Sequence, residues 1–469
     1  MANQFAEKLA SIGQPNVLRF FDSLPESGKA VLSNQLAGLD LDAMKQLIET
    51  QVKVKAAIPI PKNIAPVKAY PNKPAPDQEK LYADAKARGL ELLKQGKVAG
   101  FLVAGGQGTR LGYDGPKGEY PVTPIKNKPL FQVFAEQLLN WSKIAGKPIP
   151  WYLMTSDVND APTRAFFKQH SFFGYNPADV VFFQQGMMPA FSFAGEMLLA
   201  EKDSLALSAD GHGGSLRALA KTGALADMKK RGVEHLSYFQ VDNPLVYTMD
   251  PLFLGLHDLT GSEMSSKTIG KAHALEKVGN FVFADGAVQV IEYSDLPDEL
   301  AKQTNADGSL KFNAGSIAIH ALRVSFIERL NAGGQLKLPW HRAEKKVPYV
   351  DASGTLVKPD KPNAVKLEQF VFDAIPLAKN AIVYETRREE EFSPVKNAEG
   401  SDSPATCKRD QNRRAARWLT AAGVVVPMNG EEPAATVEIS PLFAATADQV
   451  KDKAGSIKSI KAGDSFVLE

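Results

Sequence analysis

The chain has 469 residues and a mass of 50.8 kDa, a length that predicts about three domains at ~150 residues each, or one large domain with additions. Hydrophobic residues make up 44% and charged residues 23%, which excludes a disordered chain or a small disulfide scaffold. Lys+Arg 55 against Asp+Glu 53 gives +2, too balanced for a protein that coats nucleic acid or an anionic membrane, so neither is expected as a partner. One cysteine, Cys407, can form neither an internal disulfide nor a cysteine zinc site and points to a reducing compartment. The first residues run into an amphipathic pattern without an apolar signal segment. No stretch nears the ~20 apolar residues of a spanning helix. The expected location is the cytoplasm.

Residues 1–57 read as helical. Leu18, Phe20, Phe21 and Leu24 precede Pro25-Glu26, a helix start, Gly38 is its stop, and Asp40 or Asp42 opens a third helix carrying Met44, Leu47 and Ile48. From Ile58 to Pro76 the prolines 59, 61, 66, 71, 74 and 76 predict an extended strap. A helix from Asp77 to Gly96 carries Leu81, Ala85, Leu92 and Leu93 on one face. Buried strands follow at Val98–Ala104, Trp151–Thr155, Val180–Phe183 and Leu236–Val241, alternating with helices after Pro129, over Thr163–His170 and over Leu216–Lys230. That alternation predicts an α/β fold with a mostly parallel sheet. A hairpin turning at Asp285-Gly286 makes the sheet mixed. Expected domains are 1–76, a helical N-terminal region with the strap, 77–400, the catalytic domain, and 401–469, a small C-terminal domain. The basic stretch 408–417 reads as a solvated helix face.

The strongest chemical signal follows the first strand directly. Gly105, Gly106, Gly108 and Gly112, with Arg110 and then Pro116-Lys117-Gly118, form a loop whose backbone N–H groups can cradle phosphate oxygens beside two cations. It is not the dinucleotide fingerprint, since Leu111 holds the third glycine position, and not a Walker A loop, since Gly118 follows Lys117. No G-x-S-x-G elbow is present. Asp242 ends a buried strand, where α/β sheets place ligands and a carboxylate can hold a cation. The Asp-Asn-Pro run is equally compatible with an Asx-turn.

The sequence G-G-x-G-T-R-L-G followed by P-K-G resembles the signature of the eukaryote-type UDP-sugar pyrophosphorylases, most of all their N-acetylglucosamine branch. The likeness recurs at Phe182–Pro189, Asp210–Gly214, Val241–Asn243, Val290–Tyr293, Asn313–Gly315, Lys358–Asn363 and Glu391–Lys396. It implies a nucleotidyltransferase (Rossmann-like) fold and transfer of UMP from UTP to a sugar 1-phosphate with Mg2+. Position by position it assigns Ala104, Gly105, Gly106, Gln185, Gly211 and His212 to the nucleotide. It assigns Arg110, Lys117 and Lys396 to the phosphates as catalytic cations, Asp242 to Mg2+, and Glu292, Tyr293, Asn313 and Asn363 to the sugar. His212 stands where asparagine is more usual in that branch, which opens glucose and N-acetylgalactosamine as alternative sugars. Ser316 and Lys277 are further departures, at positions where asparagine and proline are common. A non-catalytic sugar-nucleotide-binding protein is the reading from another class, and the intact Arg110, Lys117 and Asp242 oppose it. The expected partners are UTP and a sugar 1-phosphate, and no oligomeric state follows.

Overall fold

The computed structural model describes residues 2–55, 61, 63–334, 336–457 and 459–469. The chain forms two compact units, neither of them continuous in sequence: Met1–Pro59, Gln185–Ala218 and Leu336–Asp373 make the first, and Ile60–Gln184, Leu219–Gln335 and Ala374–Glu469 the second. The domain limits expected at 76 and 400 follow chain order, whereas the units follow contact.

In the first unit the N-terminal helices Ala2–Ser11, Glu26–Gly38 and Leu41–Leu47 form as their signals predict. Asp40 caps the third, its side chain accepting from the Ala43 N–H at 3.1 Å. Their apolar faces do not make a free-standing bundle. Leu9, Val17, Leu32, Leu36 and Met44 bury against Phe191, Met197, Val365 and Leu367; Phe191, Val365 and Leu367 lie on the short strands Phe191–Ser192 and Ala364–Glu368, which pair with each other and, through the second, with His341–Lys345. The buried amide of Gln14 locks this arrangement, accepting from Met197 N at 2.6 Å and donating to Gly195 O at 2.8 Å.

The second unit is built on one large sheet. Its main path runs Ala69–Tyr70, Ile382–Glu385, Met264–Gly270, Ala314–Arg323, His235–Gln240, Val98–Val103, Trp151–Thr155 and Val180–Gln184. All pairings along it are parallel except the two made by Ala314–Arg323, giving the expected mixed, mostly parallel sheet. The strands Val98–Val103, Trp151–Thr155 and His235–Gln240 are buried on both faces, as parallel strands in the middle of an α/β sheet are. The strap is part of this sheet: Ala65–Pro66 pairs with Gly279–Ala284, and Ala69–Tyr70 with Ile382–Glu385, while 56–60 and 62 lie outside the described residues. The hairpin forms at Asp285-Gly286, with φ of 52° and 81°. The single helix expected over Leu216–Lys230 is two, Gly214–Lys221 and Ala224–Arg231. Gly223, at φ +83°, breaks it in the left-handed region that side-chain-bearing residues resist.

The C-terminal part has its own small core around Trp418, Leu419, Val437, Val450 and Leu468. The basic stretch is not simply a solvated face, because its helix, Pro404–Ala421, turns cations inward. Arg414 donates to Leu245 O at 2.7 Å and Glu390 O at 2.8 Å, and Arg417 pairs with Glu390 at 3.0 Å. Among the described residues no helix is long and apolar enough to cross a membrane.

One charge lies at the centre of the sheet. Lys267, fully buried in Met264–Gly270, places its ammonium 2.6 Å from Asp250 and 2.6 Å from Glu391. Burial pushes the ammonium down, and the two carboxylates more than reverse this, so its net shift is upward. Asp250 also caps the helix Pro251–Leu259 through Leu252 N at 3.0 Å. Removing Lys267 strands one buried carboxylate, Glu391, and one partly buried, Asp250. Lys267→Met is expected to lower unfolding free energy by about 3–5 kcal/mol in urea titration, while Lys302→Ala, which breaks an exposed pair with Asp298, leaves the midpoint unchanged.

Candidate active site

The parallel strands Val98–Val103, Trp151–Thr155, Val180–Gln184 and His235–Gln240 run in one direction. Their carboxyl ends therefore bring the glycine loop and Asp242 to one edge, as open α/β sheets do with ligand sites. The loop closes on itself: Gly108 N donates to Gly115 O at 2.9 Å and Lys117 N to Gly106 O at 3.1 Å. Gly118 is obligatory, since a Cβ there would lie 2.1 Å from the Phe131 ring. That close packing fixes the backbone from which Lys117 projects.

Lys117 gathers the predicted charges. Its Nζ donates to Val395 O at 3.4 Å. Burial pushes its ammonium down, Asp242 pulls it back up, and Arg110 and Lys396 push it down further. Three cations and one carboxylate are thus electrostatic neighbours. Asp242, Lys277, Glu292, Ser316, Phe392 and Lys396 border a cleft of about 170 Å³. Asp242 is half-buried, and the Val395 N–H donates to its backbone carbonyl at 2.8 Å. Ala104 is buried and Gly106 exposed at the start of the loop.

The structure does not bring every expected sugar residue to this cleft. Asn313 accepts from Lys271 N at 2.9 Å and borders a different hollow of about 190 Å³, shared with the strap residues Pro66 and Ala69. Tyr293 is 47% exposed and is not a wall of the cleft. Asn363, in the first unit, commits its amide to Val347, accepting from its N–H at 2.8 Å and donating to its carbonyl at 3.0 Å. That exchange imitates a strand rung.

The other residues of the first unit form a group of their own. Gln185 is half-buried just beyond its strand. Gly211 sits at φ +86°. The His212 ring stacks on Phe370 at 5.2 Å, and Phe370 stacks on His341 at 4.1 Å. His212 Nδ1 accepts from Val371 N at 3.1 Å, which leaves the ring proton on Nε2. Burial, then His341, pushes His212 down from 6.5 to about 4, so at neutral pH it is an uncharged N–H donor.

The sequence model of the family described as UTP--glucose-1-phosphate uridylyltransferase matches residues 44–406. The chain belongs to this family. It is 39% identical over 464 residues to the mouse (Mus musculus) UDP-N-acetylhexosamine pyrophosphorylase-like protein 1, covering 93% of this chain and 91% of that one. It is 40% identical over 348 residues to the UDP-N-acetylglucosamine pyrophosphorylase of Saccharomyces cerevisiae, covering 72% and 73%. A solved uridine diphosphate N-acetylglucosamine pyrophosphorylase from Trypanosoma brucei superposes with a TM-score of 0.81 at 26% identity, over 97% of each chain.

Two residues of this uridylyltransferase escape the sequence reading. Asn159 is fully buried. Its Nδ2 donates to Ala104 O at 2.8 Å and Gly106 O at 3.3 Å, and its Oδ1 accepts from Ser156 N at 2.7 Å. It therefore holds the glycine loop from the neighbouring strand's exit. Its only sequence signal is its place just before the helix Asp160–Gln169, where asparagine reads as a cap. Lys277, noted only as a departure from the family pattern, proves to be a cleft wall. The uridylyltransferase should also show His212 in its acid response. The unfolded ring takes a proton near pH 6.5 and the folded ring resists it until about 4, so stability falls as pH falls through that window. A single proton limits the slope to about 1.4 kcal/mol per pH unit. Urea midpoints from pH 7 to 4 should fall less steeply in His212→Asn.

Proposed function

We propose that this uridylyltransferase makes UDP-N-acetylglucosamine and pyrophosphate from UTP and N-acetylglucosamine 1-phosphate. The observation that carries the reading is the convergence of Asp242, Arg110 and Lys396 on Lys117, with Asp242 and Lys396 bordering one cleft. A half-buried ammonium held beside two other cations gains most when a polyphosphate arrives, because the ligand supplies counter-charge that the single carboxylate of Asp242 does not. The names of the similar proteins support the sugar. The uncharged His212 is compatible with it, since its Nε2–H offers the donor that an asparagine amide offers at that position.

The nucleophile is an oxygen of the sugar 1-phosphate, already anionic, so no side chain needs to remove a proton. It forms a bond to the α-phosphorus of UTP as the bond to the β-phosphate oxygen breaks, and pyrophosphate leaves with the electron pair. This chain then contributes alignment and charge neutralisation. Arg110 and Lys117 steady the triphosphate on the glycine loop, and Lys396 approaches from the later segment. Glu292, a wall of the same cleft, accepts from sugar hydroxyls. Gln185, with donor and acceptor on one amide, is assigned to the uracil edge within the first unit, with Gly211 and His212.

Asp242 is the residue we assign to Mg2+. One half-buried carboxylate facing a phosphate site suits an ion that takes its remaining ligands from phosphate oxygens and water. When bound, the ion offsets phosphate charge. A reducing cytoplasm is the proposed location, supported by the single cysteine, whose thiol is buried and pushed up to about 12 by that burial.

The test is pyrophosphate release from UTP and Mg2+ with a panel of sugar 1-phosphates. Fast release with N-acetylglucosamine 1-phosphate is expected, and equal rates with glucose 1-phosphate would replace the reading with a broad-range enzyme. Lys117→Ala should lower kcat by about 10²–10³-fold. Its melting temperature should hold or rise, because the mutation removes a half-buried charge beside like charges. Parallel loss of folding and turnover would argue against its role.

A further inference from the structure

The segment Glu391–Val395 is buried along its whole length, yet it is not a strand of the sheet that it borders. Its backbone must find partners elsewhere, and one side chain provides two of them. Asn243, 5% exposed and next to Asp242, donates from Nδ2 to Glu391 O at 2.7 Å and accepts at Oδ1 from Ser393 N at 3.2 Å. Its amide therefore takes the place of a neighbouring strand's peptide group.

The bonds on either side continue the same line. Val395 N donates to Asp242 O at 2.8 Å, and Lys396 N to Asp402 O at 2.7 Å. The Glu391 carboxylate is anchored by Lys267 at 2.6 Å and by Thr386 Oγ1 at 2.6 Å. Ser393 Oγ donates to Asp410 at 2.8 Å. Two consequences reach the site: Val395 O is the carbonyl that takes Lys117 Nζ, and the next residue is Lys396, a wall of the cleft with Asp242.

We propose that Asn243 is a positioning residue for the uridylyl transfer. It clamps the 391–396 segment to the Asp242 strand end, so that Lys396, Lys117 and Asp242 meet at one set of distances. It touches no substrate. The clamp rests on the reading of Lys396 as a phosphate-side cation given above. Asparagine suits the position because the two contacts need one donor and one acceptor on the same planar group. Aspartate lacks the donor and alanine lacks both.

The test uses the full-length protein. Asn243→Ala should lower kcat about 10- to 100-fold, as loss of a supporting hydrogen bond around a site does, with KM for UTP changing less than about three-fold. The loss should be several-fold smaller in the Lys396→Ala background, because both changes remove the same properly placed ammonium. Losses that simply multiply would overturn the proposal. Hydrogen–deuterium exchange gives a readout independent of turnover: peptides covering 391–396 should exchange at least about ten-fold faster in Asn243→Ala, with the central strands unchanged. Unchanged exchange there would also overturn it. If Asn243→Ala does not fold, Asn243→Asp, which keeps the acceptor for Ser393 N, carries the same two measurements. A wild-type protein that releases no pyrophosphate with any sugar would remove the proposed reaction, and the exchange measurement would still decide the clamp.

Discussion

The buried lysine at the middle of the large sheet constrains more of this protein than any other group. An ammonium inside Met264–Gly270 is tolerable only where carboxylates reach it, and of the two that do, Asp250 comes from the preceding helix start and Glu391 from far along the chain. Asp250 is also the cap of the helix Pro251–Leu259, so the pairing sets where that helix begins against the sheet. Glu391 opens the segment that ends at Lys396. A buried structural charge thereby helps to fix the segment that carries Lys396. Arg414 reinforces the same junction from the C-terminal helix through the carbonyls of Leu245 and Glu390.

At the sheet edge the logic is reversed. Lys267 has more negative charge around it than it needs, whereas Lys117 has too little. Asp242 alone opposes burial and the repulsion of Arg110 and Lys396. A fold accepts such an arrangement when its neighbours leave it no other geometry, and here the Phe131–Gly118 contact, the Asn159 amide and the Val395 carbonyl hold the loop and its lysine. In the proposed reaction the frustration has a use, because the triphosphate would relieve it. The aromatic group of the first unit follows a related rule: burial, with His341 nearby, keeps His212 uncharged, and the Val371 N–H occupies its Nδ1, so it offers a neutral donor.

The parts of this architecture written in local sequence were legible. The apolar runs at Val98, Trp151, Val180 and Leu236 became parallel strands, and glycine, proline and aspartate marked the ends of most helices. Failures came where local pattern and distant partners disagreed. Leu216–Lys230 has helical periodicity throughout, but Gly223 breaks it. The strap carries too many prolines for a helix, which was legible, yet that its edges pair with the hairpin and with Ile382–Glu385 was not. Met264–Gly270 carries serines, a threonine and a lysine and does not announce a central strand. Asn313 and Asn363 matched a family pattern, but their amides bind Lys271 N and Val347. Asn159 and Asn243, less conspicuous, proved to hold the site's backbone.

The sequence by itself determined the chemistry on offer: a glycine loop with two cations at the end of an apolar strand, and a strand-end carboxylate. These are short-range features, and periodicity, turn preference and motif spacing record them directly. Only the tertiary structure decided which charges meet. Whether an amide binds its own chain or stays open, and whether a lysine is buried among carboxylates or among cations, depends on residues more than a hundred positions away, as with Lys267 and Glu391 or Lys117 and Val395. Such partners are set by sheet order and loop closure, which the packing of the whole second unit selects.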